Sequence, residues 1–159
     1  MRFIFDLDHT LIDSSHRQLT RADGSLDLTH WRENCTRDAI SRDSLLPLAR
    51  ECRQLIADNA NVIACTARVM SPADYDFLKV HGLEFDAILS RPVGCNDSDH
   101  LLKEWLLRDY ANTLGLSFRR FARGSVMLDD NANVLAHLKS LGFHCMNAIS
   151  LNNTLAGVA

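Results

Sequence analysis

Asp6 and Asp8 in the run Asp6-Leu7-Asp8-His9-Thr10, then Thr66, then Lys103, then the pair Asp129-Asp130, follow one another in an order that suits phosphoryl transfer. A carboxylate that attacks phosphorus forms an acyl phosphate and splits hydrolysis into two easier steps, and Asp6 is the expected nucleophile. Asp8 is placed to protonate the leaving oxygen and later to take a proton from the attacking water. Carboxylates gathered from two separate segments repel one another unless a cation sits between them. Mg²⁺ is the natural choice, being hard, oxygen-seeking and content with one or two carboxylates plus phosphate and water. Its expected protein ligands are Asp6, Asp129 and the backbone carbonyl of Asp8, with Asp130 behind them. Helix N-capping explains Asp129-Asp130-Asn131 as well and is compatible with metal binding. Thr66 can give its hydroxyl to a phosphate oxygen, and Lys103 can offer a point charge to the phosphate and to Asp6.

Elements must bring these groups together. The first acids close the apolar run Phe3-Ile4-Phe5 and the last pair closes Val126-Met127-Leu128, so both sets belong at the carboxyl ends of buried strands. Open parallel sheets bind ligands at that edge. Short apolar runs alternate with helix-like windows, the pattern of stacked βα units. Strands are expected near 2–7, 61–66, 86–90, 125–129 and 143–148. Helices are expected over 44–58, from Ser71-Pro72 to Gly82, from Ser98 or Asp99 to about Thr113, and from Asn131 or Asn133 to Gly142. Residues 14–43 break this rhythm with a polar stretch just after the acidic strand end, where a small lid would cover the site.

At 159 residues the chain suits one compact domain. A formal charge of −3 argues against a protein wrapped in duplex DNA, though not against a short basic groove. Five cysteines, never spaced as CxxC, read as reduced thiols, not as a disulfide frame or zinc site. No apolar run approaches the ~20 residues needed to span a bilayer. With the first strand starting at residue 2 or 3, a cytoplasmic location is expected.

The order of these groups resembles the four motifs of the haloacid dehalogenase superfamily of aspartate-nucleophile phosphatases, here Asp6/Asp8/Thr10, Thr66, Lys103 and Asp129/Asp130. That resemblance implies a Rossmann-like three-layer α/β fold, a parallel five-stranded sheet in the order 5-4-1-2-3, Mg²⁺ as cofactor, and a lid inserted after the first motif, at 14–43. A narrower resemblance is to the 3'-phosphatase domains of bacteriophage polynucleotide kinase/phosphatases. It rests on Thr66-Ala67-Arg68, on Arg91 after the third strand, and on Asp99 four residues before Lys103. It implies substrate or active-site contacts for Arg68 and Arg91, and Asp99 as the partner that orients Lys103. No GxxxxGK[ST] is present, so the kinase half is missing, and His9 stands where glycine is often found.

The implied activity is a Mg²⁺-dependent phosphatase of nucleic-acid 3'-phosphate ends or nucleotides. A phosphatase of a small metabolite such as a sugar phosphate is the alternative. A receiver-like phospho-switch fits less well, because it would carry its acidic pair on the first strand. His16, Arg17, Arg21, His30, Trp31, Arg32 and Arg37 give the insertion a mixture able to stack on a base and attract phosphates. Arg119, Arg120 and Arg123 form a second small basic group.

Overall fold

A computed structural model describes residues 1–24 and 26–157. In chain order the elements are β1 (Arg2–Phe5), β2 (Ile12–Asp13), a 3₁₀ turn (Ser15–Arg17), α1 (Leu28–Glu33), α2 (Arg37–Ser41), β3 (Ser44–Leu45), α3 (Leu48–Ala57), β4 (Asn61–Thr66), α4 (Pro72–Val80), β5 (Ala87–Ser90), α5 (Asp99–Thr113), α6 (Phe118–Arg123), β6 (Ser125–Asp129), α7 (Ala132–Ser140), β7 (His144–Asn147) and α8 (Ala148–Leu155).

Five of the strands form one parallel sheet in the order β5-β4-β1-β6-β7. The label order differs from the expected 5-4-1-2-3 because the two short strands β2 and β3 intervene in the chain. By residue range the neighbours are the expected ones. The central strands β1, β4 and β6 are covered on both faces, so their side chains divide between two cores. Phe5, Val62, Ala64, Val126 and Leu128 join α3, α4 and α8 on one side. Ile4, Ile63, Cys65 and Met127 join α5, α6 and α7 on the other. Each fully buried large apolar side chain adds roughly 1.5–3 kcal/mol.

Register decides the site. Phe5 pairs level with Leu128 of β6 and with Ala64 of β4. The next residues, Asp6 and Asp129, therefore leave neighbouring strands at one height and on one side, about 4.8 Å apart across the sheet.

Local signals fix several helix ends. Ser71 and Asp74 form a reciprocal capping box around Pro72, and α4 stops before Gly82, whose φ is +67°. Asn131 caps α7 by accepting from the Asn133 and Val134 amides. Elsewhere the expectations need correction. The helix expected over 44–58 begins only at Leu48, because Ser44–Leu45 pairs antiparallel with Ile12–Asp13. The polar segment 14–43 holds α1 and α2, capped by Asp27 and Thr36. Two further helices, α6 and α8, lie where none was expected. Among the described residues, no helix is long and apolar enough to cross a membrane.

Candidate active site

The turn after β1 is tight: the amides of Leu11 and Ile12 both bond back to the Leu7 carbonyl, and His9 sits at φ +55°. A left-handed backbone costs a side-chain-bearing residue roughly 1–2 kcal/mol, which explains why glycine suits this position in related motifs. The His9 ring is held by Gln18 Oε1 at 2.9 Å. Asn152 of α8 fastens the turn from outside. Its Nδ2 donates to the Thr10 carbonyl at 3.0 Å and its Oδ1 accepts from the Leu48 amide at 2.8 Å.

At the sheet edge Lys103 is the centre of charge. Its Nζ lies 2.8 Å from Asp6 Oδ1 and 2.6 Å from Asp129 Oδ2, with the lysine itself only 2% exposed. Burial alone would discharge this amine, but the two carboxylates outweigh it and keep the ammonium firmly protonated. One ammonium does not balance the acids around it. Ligand oxygens of Asp6, Asp129 and Asp130 all fall within 4.8 Å of one another. Burial, opposed by Lys103 and reinforced by Asp129 and Asp8, pushes Asp6 up to about 8. Burial and then Asp129 raise Asp130 as well. Hard oxygen donors converging with an excess of negative charge are what a small divalent cation requires.

Thr66, also buried, ends β4 beside this group; its Oγ1 accepts from the Arg68 amide at 3.1 Å, leaving its own proton to be donated. Thr10 is fully buried, and its Oγ1 has no hydrogen-bond partner among the described residues.

Asp8 belongs to a second network. Both nitrogens Nε and Nη2 of Arg68 donate to its carboxylate, and Ser14 Oγ adds a bond of 2.6 Å. Burial works against the Asp8 charge, but Arg68 and Ser14 prevail and hold the carboxyl below its ordinary range. Arg68 is 4% exposed; its Nη1 bonds Asp74 Oδ1 and its Nη2 lies 3.8 Å from Asp43 Oδ2. Asp43 in turn takes a bidentate pair from buried Arg17, at 2.9 and 2.8 Å, and a third contact from His16 at 2.8 Å. Both guanidinium groups lie over Trp31, Arg17 at 4.3 Å and Arg68 at 5.7 Å from the ring centre.

Thus Asp6, Asp129, Asp130 and Lys103 meet with Thr66 beside them, and Asp8 meets Arg68. Two expectations change. Asp99 pairs with Arg91 at 2.7 Å and not with Lys103, whose acids are Asp6 and Asp129. Arg91 is committed to the surrounding loops, donating to the carbonyls of Ala67 and Asp97, each at 2.8 Å. Asp99 is half-exposed at the first turn of α5, whereas Lys103, one turn on, points into the buried acids. In the insertion, Arg17 and Trp31 are already engaged with Asp43 and Arg68, so neither is a free stacking or phosphate-binding group. Four residues were not foreseen: Ser14, Asp43, Asp74 and Asn152. Only Asp74 left a readable signal, as the third residue of a Ser-Pro capping box.

The sequence pattern of the bacteriophage T5 5'-deoxynucleotidase family matches residues 1–100. A 5'-deoxynucleotidase of Escherichia phage T5 is 34% identical over 170 aligned residues, covering 96% of this chain and 69% of its relative. The chain belongs to the bacteriophage T5 5'-deoxynucleotidase family. Structural comparison places this family member on the haloacid dehalogenase fold. A haloacid dehalogenase-like hydrolase from Streptococcus pneumoniae superposes with a TM-score of 0.62 at 14% identity, over 95% of this chain and 90% of that one. A haloacid dehalogenase-superfamily hydrolase from Geobacter sulfurreducens gives 0.62 at 13% identity, over 97% and 95%. A chain of the Pnkp1/Rnl/Hen1 RNA repair complex gives 0.61 at 20% identity, over 92% of this chain and 41% of that one. The T5 deoxynucleotidase-family chain is accordingly a hydrolase.

Proposed function

We propose that this chain is a Mg²⁺-dependent phosphomonoesterase of deoxynucleoside 5'-monophosphates that works through an aspartyl-phosphate on Asp6. The observation that carries the reading is Lys103 held between Asp6 and Asp129 while three carboxylates converge within reach of one ion. The name of the T5 relative supports the nucleotide as substrate.

In this reading Asp6, Asp129 and the Asp8 carbonyl hold Mg²⁺, with Asp130 behind them. The ion, when bound, supplies positive charge to the phosphate oxygens and to the clustered carboxylates. Asp6 attacks phosphorus, the bond from phosphorus to the nucleoside 5'-oxygen breaks, and Asp8 gives that oxygen its proton. Water then attacks the aspartyl-phosphate, Asp8 takes the water proton, and inorganic phosphate leaves. Thr66 and Lys103 bind phosphate oxygens throughout. Arg68 holds Asp8 ionised in the free protein, a state ready for the second step. For the first step Asp8 must carry a proton, so the arriving phosphate is expected to draw Arg68 away. Residues 14–43 act as a lid within a single domain, steadied by the Arg17–Asp43 pair.

The second reading is a nucleic-acid 3'-phosphatase, suggested by Arg68 beside Thr66. The engagement of Arg17 and Trp31 within the lid favours the smaller substrate. A phosphate-release assay with Mg²⁺ separates them. Deoxynucleoside 5'-monophosphates should turn over fastest, ahead of 3'-phosphorylated oligonucleotides and sugar phosphates, and Asp6→Asn should abolish release from all while melting as a folded protein. Preference for the oligonucleotide, or turnover by Asp6→Asn, would refute the substrate or the nucleophile respectively.

A further inference from the structure

At the amino-terminal edge of the sheet, far from the catalytic acids, lies a groove of about 490 Å³ lined by Arg108, Phe118, Arg119, Arg123, Leu141 and Gly142 among others. Most arginines of this acidic chain are paired with carboxylates, as Arg17, Arg37, Arg42, Arg68 and Arg91 are. Arg119 and Arg123 are not: both are exposed and neither has a carboxylate partner among the described residues. They stand four apart on α6, a spacing that places like charges on one helix face at a cost of a few tenths of a kcal/mol. The helix dipole favours Arg120 and Arg123 in the last turn, but Arg119 lies outside it.

Beside them Arg108 lays its guanidinium over the Phe118 ring at 3.9 Å, with its Nε fixed by Glu104 at 2.7 Å. That presents a rigid planar cation, the kind of surface on which a nucleobase stacks. Gly142 leaves the floor open; a Cβ there would meet nothing nearer than Ala122 at 4.0 Å. The groove is wide open to solvent, so a ligand there would lie along its surface and keep one side exposed.

We propose that this groove is a second binding site for a nucleoside phosphate, its phosphate held by Arg119 and Arg123 and its base against Arg108. The site is separate from the catalytic one: β6 starts beside α6 and ends at Asp129, about 13 Å further along the strand. Binding in the groove does not depend on the proposed reaction, whereas the other binding event expected below rests on the proposed nucleotide substrate.

Isothermal titration of dAMP and dGMP into the full chain carrying Asp6→Asn, with Mg²⁺ present, tests it without turnover. Two binding events are expected. Adding Arg119→Ala and Arg123→Ala should remove one event, or weaken it at least tenfold, and leave the other unchanged. In an otherwise wild-type chain the same pair should keep aryl phosphate hydrolysis within twofold, which excludes misfolding. A single event untouched by the two substitutions would overturn the proposal. So would an oligonucleotide lacking terminal phosphates that binds at least tenfold tighter than the mononucleotide through the same arginines, because the groove would then serve a strand. Loss of phosphate release alone bears on the catalytic reading and leaves these binding events as they are.

Discussion

Asp43 is the sharpest place to test the buried network, because a second ion pair in the same molecule provides the control. Arg17–Asp43 and Arg37–Asp76 have nearly the same length, 2.8 and 2.7 Å. Their burial differs: the side chains are 1% and 0% exposed in the first and 67% and 59% in the second. Asp43→Asn keeps the shape of the side chain, yet leaves the Arg17 guanidinium in the interior facing a neutral amide that also turns a donor toward it. Breaking a buried pair costs about 3–5 kcal/mol, and the remaining amide oxygen still accepts one bond, so about 3 kcal/mol is expected. At this chain length that lowers the melting temperature by about 6–12 °C. Asp76→Asn should cost under about 1 kcal/mol, since solvent already screens the exposed pair. Because Arg68 also faces Asp43, the first variant should in addition lose about tenfold in kcat, or about 1.4 kcal/mol of barrier, while the second keeps its rate. Thermal melts followed by circular dichroism, together with phosphate release at saturating nucleotide, measure both. Equal melting temperatures for the two variants would refute the claim that burial, and not length, sets the worth of these pairs.

Asp6 has its folded pKa raised to about 8 from 3.8, so the stability it contributes is complete below 3.8 and is lost as pH rises through about 8. The metal-free protein should therefore melt at lower temperature near pH 9 than near pH 6, with Mg²⁺ restoring more at the alkaline end; a metal-free melt that climbs over this range would contradict the charge imbalance. Asp8 has the opposite sign: its lowered pKa gives stability present above 3.8 and lost as pH falls through the still lower folded value. Asp8→Asn should flatten the acid limb of the melting profile, and an unchanged limb would count against the Arg68 clamp. Asn152→Ala strands the Thr10 carbonyl and the Leu48 amide, for about 2–4 kcal/mol and about 4–16 °C in melting temperature, and a shift within about 2 °C would show that water replaces both bonds.

The sheet and the four acids at its edge were legible because each strand is a short apolar run that ends abruptly in a polar residue of distinctive type. Phe3-Ile4-Phe5 before Asp6 and Val126-Met127-Leu128 before Asp129 carry both the burial and the chemistry in adjacent positions. Ser44–Leu45 could not be read as a strand: two residues have no period, and their partner Ile12–Asp13 is remote. Asp43 was silent for the same reason, since its partner Arg17 lies 26 residues away and nothing local distinguishes it from a surface acid. Asp99 shows the opposite failure. The resemblance implied Asp99 as the partner of Lys103, but the buried acids across the sheet edge claimed the lysine and left Asp99 to Arg91.

Asn152 joins the turn that follows the first strand to the final helix, 142 residues later. During synthesis the turn that carries Asp6 and Asp8 thus goes without this fastening until residue 152 has been made. Fragments that hold Asp6, Asp8, Lys103, Asp129 and Asp130 but stop short of residue 152 should therefore be poor catalysts.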